Sequence, residues 1–253
     1  MAGPYLSSVR SRNLTILFAG LCGYAERVST QTWEESQRML RRNEALVDPV
    51  FRKFGGRRIK QIAGTFLVAF DSPTQAVLCA AALQDRVQRF DEKLPEEQRL
   101  RPRVGIHLGE VRLVRGDVFG EPVNIAARIE AQCGPGEVLF GESVWLSMNR
   151  AEVRAEDKGE WPLKGIPEPV RIFRLQGALR PLPDLGPLPR ADDTFEGGEF
   201  SRHLREAAEV AMRRAEDSLP GLPGRFRVFV GAGLMAMLAV AAMFALARLG
   251  ALP

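Results

Sequence analysis

Asp117, Asn124 and Arg128 fall within one stretch, RGDVFGEPVNIAAR, residues 115–128. A Gly-flanked turn carries the acid, and a helix follows with the amide and the guanidinium four residues apart. Side chains at i and i+4 share a helix face. An accepting carboxylate, an orienting amide and a fork suited to phosphate form a set fit for a nucleotide. The same pattern also describes a strand, loop and helix whose polar residues only cap and solvate, so this stretch alone leaves both readings open.

The elements that must hold these residues read in order. Residues 13–19 (NLTILFA) form a buried strand, ended by Gly20 and Gly23. A second reading of that apolar run, a signal peptide after Arg10 and Arg12, fails for want of a cleavage site and because Glu26 and Arg27 follow. Residues 32–54 carry apolar side chains at helical spacing, with Pro49 expected to bend the last turns and Gly55-Gly56 ending them. Residues 57–63 and 65–70 read as a hairpin turned at Ala63-Gly64, and Ser72-Pro73 opens a helix over 74–90. A charged loop leads to strands at 103–108 and 110–114, a helix over 118–132, a strand at 137–140, a helix at 143–148 and closing strands at 161–163 and 170–175. The succession β-α-β-β-α-β predicts an α+β domain, an α/β sandwich of ferredoxin-like type. Its sheet is rich in antiparallel pairs and its helices lie on one face.

The domain is expected over 1–176, followed by a Pro/Gly-rich linker at 177–200. A short charged helix and juxtamembrane segment follow over 201–224, either a stalk or a coiled-coil stub. Residues 225–253 then form a C-terminal anchor. Within it, 228–247 (VFVGAGLMAMLAVAAMFALA) is 20 residues without a charge, about 30 Å of helix at 1.5 Å per residue, which matches a bilayer's hydrocarbon core. Arg225 and Arg227 precede the run and Arg248 follows it. The expectation is a tail-anchored, single-pass membrane protein with its main domain cytoplasmic; a buried core helix is the competing reading.

A formal net charge of +4 is small and dispersed, so no nucleic-acid partner is expected. Three cysteines, Cys22, Cys79 and Cys133, lie far apart with no CxxC and no His/Cys cluster. That excludes a disulfide framework or zinc motif and fits reduced thiols. His107 and His203 have no partner spacing of a ligand site.

Five segments together resemble the class III nucleotidyl cyclase catalytic domain, which makes cyclic AMP or cyclic GMP: ILFAGLCGYA, RIKQIAGTFLVAFDSPTQAVLCAAALQ, RVGIHLGEV, GDVFGEPVNIAARIEA and LKGIPEPVRIF, in register over about residues 10–176. The resemblance implies a domain that pairs head to tail with a second one, active sites forming between them. One half supplies two aspartates for two metal ions; the other reads the base and stabilises the transition state. By resemblance Lys60 and Asp117 read the base, Asn124 orients the ribose, Arg128 stabilises charge at the transferring phosphorus and Lys164 holds the triphosphate. A donor and an acceptor at Lys60 and Asp117 suit adenine over guanine. An ATP-type nucleotide is therefore the expected ligand.

The metal half departs from the pattern. Where the family has F-x-D-[IL]-x-G-[FY]-[ST], this chain reads Phe18-Ala19-Gly20-Leu21-Cys22-Gly23-Tyr24-Ala25. Where it has G-D-G-F, the chain reads Ala63-Gly64-Thr65-Phe66. The aspartate positions are Gly20 and Gly64. Glycine offers no ligand to hard cations, and losing both metals removes several kcal/mol of stabilisation, at ~1.4 kcal/mol per tenfold in rate. Asp48 and Asp71 are the nearest acids in sequence, on a helix and beyond a strand. Cys22 is a remote candidate for a soft metal.

Three outcomes follow from the resemblance. The chain is a pseudoenzyme, a homodimeric scaffold that binds nucleotide without cofactor; or it is the base-reading half of a heterodimeric adenylate cyclase, using Mg²⁺ or Mn²⁺ supplied through a partner's aspartates; or its pocket is vestigial. Restoring both aspartates is expected to restore metal binding if the pocket is otherwise sound.

Overall fold

The computed structural model describes residues 10–189 apart from 63. The expected span 228–247, the charged helix of 201–224 and the linker beyond 189 lie outside the described residues. Among the described residues no helix is long and apolar enough to cross a membrane.

Eight strands form one sheet: β1 (Arg10–Leu21), β2 (Arg57–Ile62), β3 (Thr65–Phe70), β4 (Pro102–Val114), β5 (Asp117–Phe119), β6 (Val138–Gly141), β7 (Val153–Trp161) and β8 (Val170–Ala178). The order is β2-β3-β1-β4-β6-β8-β7, with β5 paired to β4. The first four strands, β2-β3-β1-β4, have the order of the split βαβ unit. Only β4 and β6 run parallel; the other pairs are antiparallel.

The helices are α1 (Tyr24–Thr30), α2 (Trp33–Lys53), α3 (Pro73–Asp91), α4 (Glu121–Gln132) and α5 (Glu142–Ser147). Thr32 caps α2 in a capping box with Glu35, and Ser72 caps α3 with Pro73 in its first turn. Pro49 lies inside α2 and the helix runs on to Lys53.

The central strand β1 is buried on both faces, and its alternation sorts the core. Leu17, Ala19 and Leu21 join α2 and α3 in the main core. Leu14 and Ile16 point the other way, into a smaller cluster with Val118 and Ala126. The expectation of helices on one face is therefore corrected. The two helices of the βαββαβ unit share a face, while α4 covers the opposite one. A central strand reads as a continuous apolar run when both of its faces are covered.

Four further boundaries differ from the sequence reading. The strands expected at 103–108 and 110–114 are one strand through Gly109. The helix expected from Val118 begins at Glu121, and Asp117–Phe119 is instead a strand. The strand expected at 161–163 is the nine-residue β7. A short helix, α1, follows Gly23, which sits in the left-handed region at φ 67°.

Beyond β8, residues 179–189 cross the helix layer as an extended strap. Leu182, Leu185 and Leu188 pack on the main core. Arg86 on α3, 3% exposed, donates to the carbonyls of Leu185, Gly186 and Pro187 at 3.3, 3.0 and 2.8 Å and to that of Leu46 on α2 at 3.1 Å. Four carbonyl dipoles thus satisfy a guanidinium shut away from water.

Candidate nucleotide site

Helix α4 is seated directly on β4 because β4 carries glycine where the two meet. A Cβ at Gly105 would overlap the α4 backbone at Glu130 and lie 2.6 Å from the Ala126 carbonyl oxygen. One at Gly109 would lie 2.5 Å from Pro122 Cγ. Residues four apart on a strand face the same way, so two bare positions cradle the helix along its length. Ile125, Ala126 and Ile129 are buried beneath it, and Asn124 and Arg128 are exposed on the far side. The expected shared face is present.

Asp117 reaches its place through a tight turn. Val114 pairs with Asp117 in the β4–β5 hairpin, leaving Arg115 at φ 50° and Gly116 at φ 80° as its two corner residues. Positive φ at both corners suits the twist of a two-residue hairpin. Lys60 arrives by a different device. In β2, Arg58 pairs with Val68 and Lys60 with Leu67, so Ile59 is an extra residue and the strand bulges there. A bulge re-aims the following side chain.

The Lys60 ammonium donates to Asp117 Oδ2 at 2.6 Å, and Asp117 Oδ1 accepts from the Val118 amide at 2.8 Å. Lys60 and Asn124, with Arg112, Phe119, Glu121 and Ile166, line an open cleft of ≈ 610 Å³. Lys164 is exposed and lies next to Gly165, which lines the same cleft. Arg128 lies one turn beyond Asn124 and does not line it.

The positions expected to carry metal aspartates have different surroundings. Gly20 pairs with Arg103 across β1 and β4. A Cβ there would overlap the carboxylate of Glu130 and lie 2.9 Å from Thr65 Oγ1. Glu130, buried on α4, accepts from Arg103 Nε at 2.6 Å. Gly64 sits at φ 80°, and a Cβ there would lie 2.8 Å from the Tyr24 ring. These residues do not fit a pair of divalent cations. Glycine gives no oxygen ligand, and the carboxylate that reaches the point is neutralised by a guanidinium. Among the described residues, no group of three or more His, Cys, Asp or Glu side chains is disposed to hold a metal. Asp48 instead engages Arg58 at 3.2 Å, and Asp71 engages Arg12 at 3.1 Å and Arg57 at 2.7 Å. Burial raises the Cys22 thiol above its ordinary value, which disfavours the free thiolate there.

Two participants carried no signal of their own in the sequence. Arg103 and Glu130 lie 27 residues apart, and only the seating of α4 on Gly105 joins them. His107, in the same strand, is pushed down to about 4 by burial and lies 3.4 Å from Ser143 Oγ.

The adenylate and guanylate cyclase catalytic domain matches residues 6–177. The chain belongs to that family. It is 39% identical over 178 residues to a serine/threonine-protein kinase, pkn2, of Myxococcus xanthus, covering 70% of this chain and 21% of that protein. It is 33% identical over 167 residues to a putative adenylate cyclase 3 of Rhizobium meliloti, covering 66% of this chain and 28% of that one. The chain thus spans less than a third of either relative. Among solved structures, an adenylate/guanylate cyclase/hydrolase from Silicibacter pomeroyi is 32% identical with TM-score 0.57, over 66% of this chain and 97% of that one. The adenylyl cyclase CyaB of P. aeruginosa, 22% identical with TM-score 0.58 over 66% of this chain and 95% of that one, shares the fold.

Proposed function

We propose that this cyclase homologue keeps the base-reading half of a nucleotide site and has no cyclase activity alone. The observation that carries the proposal is the contrast between two places. Lys60 and Asp117 are joined at 2.6 Å beside a cleft that Asn124 lines, whereas Gly20 and Gly64 offer no ligand and their vacated space meets Glu130 and Tyr24. In this reading Lys60 donates to an adenine ring nitrogen and Asp117 accepts from its amino group. Asn124 orients the ribose, Arg128 meets charge at the phosphorus and Lys164 holds the triphosphate. In-line cyclisation still needs cations to neutralise phosphate charge, and this chain does not supply their ligands.

The chain acts as a dimer in this proposal. A homodimer has two base-reading halves and no metal half, which makes it a nucleotide-binding scaffold. The exposed Asn124 and Arg128 also favour a second reading, a heterodimer in which an aspartate-bearing cyclase completes one site. The apolar run 228–247 anchors the chain in a membrane with the domain on the cytoplasmic side. Sedimentation of the full-length chain with membranes, lost on deleting that run, is the expected behaviour.

The deciding experiment is enzymatic. Purified full-length chain with ATP and Mn²⁺ yields no cyclic AMP above background; turnover by this chain alone would overturn the proposal. Co-expression with an aspartate-bearing cyclase yields activity that Arg128→Ala abolishes. Activity indifferent to Arg128→Ala and Asn124→Ala would leave only the scaffold reading.

A further inference from the structure

Phe119 is a large apolar side chain left 46% exposed at the centre of the candidate site. Strand β5 explains where it points. Its middle residue, Val118, is 2% exposed and buried in the cluster beneath α4. Alternation along a strand therefore turns Asp117 and Phe119 to the opposite, open face together. Their Cα atoms are about 6.8 Å apart at ordinary strand rise, comparable to the long dimension of a purine. The Lys60 ammonium, hydrogen-bonded to Asp117, stands 5.8 Å from the centroid of the Phe119 ring, within cation–π range. Phe119 also lines the ≈ 610 Å³ cleft with Lys60 and Asn124.

We infer that Phe119 is the base-stacking platform of this site: a purine lies on its ring while Lys60 and Asp117 engage the purine edge. The inference rests on the nucleotide reading proposed above and adds the residue that binds the base by its face. An exposed aromatic face is an affinity element indifferent to base identity, because every base has a π-face. Edge contacts discriminate instead. The division of labour predicts separable effects: Phe119 sets how tightly purine nucleotides bind, and Lys60 with Asp117 sets which purine is preferred. In the ligand-free chain the Lys60 cation covers the ring, and an arriving base takes its place.

Equilibrium dialysis of the full-length chain against labelled ATP or GTP, with EDTA to keep metals out, tests this. Phe119→Ala is expected to weaken ATP and GTP binding by the same factor, about tenfold, with the ATP:GTP preference unchanged. Phe119→Tyr retains binding. Lys60→Met changes the preference. Phe119→Trp provides a direct readout, since ATP quenches the emission of the new indole relative to the parent chain. Wild-type affinity in Phe119→Ala, or no ATP-dependent quenching in Phe119→Trp, would overturn the stacking role. The same affinity accompanied by altered sedimentation would reassign Phe119 to a contact between chains. If the parent chain binds neither nucleotide, the nucleotide reading itself falls, and the stacking role falls with it.

Discussion

Gly20 lies opposite Arg103 in the β1–β4 ladder, and Arg103 holds the Glu130 carboxylate at 2.6 Å on the spot where a side chain at position 20 would emerge. An ion pair thus fills the ground that a metal-binding aspartate would need. Sequence comparison alone suggests that returning two aspartates returns the metals; this packing argues otherwise. Gly20→Asp brings a second carboxylate against Glu130, where like charges disfavour ionisation. A side chain at Gly64 meets Tyr24 in a left-handed backbone. Gly20→Asp is expected to cost about 1–3 kcal/mol of stability in a urea titration. Gly20→Asp with Gly64→Asp gains no Mn²⁺ binding by calorimetry, and Glu130→Gln recovers part of the lost stability. Full stability with tight Mn²⁺ binding in the double variant would refute this account.

The contact of α4 with β4 leaves no room for a methyl group at Gly105. Gly105→Ala must displace the helix backbone or strain the strand, at about 1–3 kcal/mol. Urea denaturation is expected to show that loss. An unchanged midpoint would show that α4 has slack the packing does not reveal.

Arg86 offers a sharper test of the strap. Arg86→Met removes four hydrogen bonds, one of them to the buried Leu46 carbonyl, and unties the strap from α3, which is expected to cost about 1–3 kcal/mol. Arg86→Lys recovers little, because an ammonium cannot reproduce the fork's reach. Ending the chain after Ala178 strips three leucines that pack against the core and three of the four acceptors of Arg86. That fragment is expected to melt well below one ending at 189; equal melting temperatures would remove the strap from the folded body.

The pH dependence of stability should carry a signature of His107. Its imidazole ordinarily titrates at 6.5 and is pushed down to about 4 by burial. Between those values the unfolded chain takes up a proton that the folded chain refuses. The stability that the neutral ring contributes is therefore complete above pH 6.5 and is lost as pH falls towards 4, by at most about 3 kcal/mol. Carboxylates titrate in the same range, so the measurement is a difference. His107→Gln is expected to flatten the acid limb of the stability curve relative to the parent chain, and parallel curves would discount the buried imidazole.

The shared face of Asn124 and Arg128 was legible because it is a short, local pattern: their i, i+4 spacing needs only one helix. The first four strands were legible for a similar reason, since turn residues such as Ser72-Pro73 and Gly55-Gly56 punctuate them. The rest depends on pairing between distant segments. Arg115-Gly116 is not a conspicuous hairpin turn, so β5 was hidden inside an expected helix. Gly109 reads as a strand break, yet it is a bare patch for Pro122 within a continuous strand. The bulge at Ile59 that aims Lys60 has no signature in composition. β7, VRAEDKGEW, is charged along much of its length and sits at a sheet edge; charge there discourages further strand pairing and masks the strand pattern. Residues 179–189 have a linker's composition, and what orders them is a guanidinium about 100 residues earlier in the chain.

The seating of α4 also bears on motion. Where helix and sheet are separated by layers of side chains, a helix can slide an ångström or two by repacking them. At Gly105 the α4 backbone rests on the β4 backbone, and no layer is present to deform. The helix that carries Asn124 and Arg128 is therefore pinned to β4 at Gly105, and the face those two side chains share is held at a fixed height over that strand.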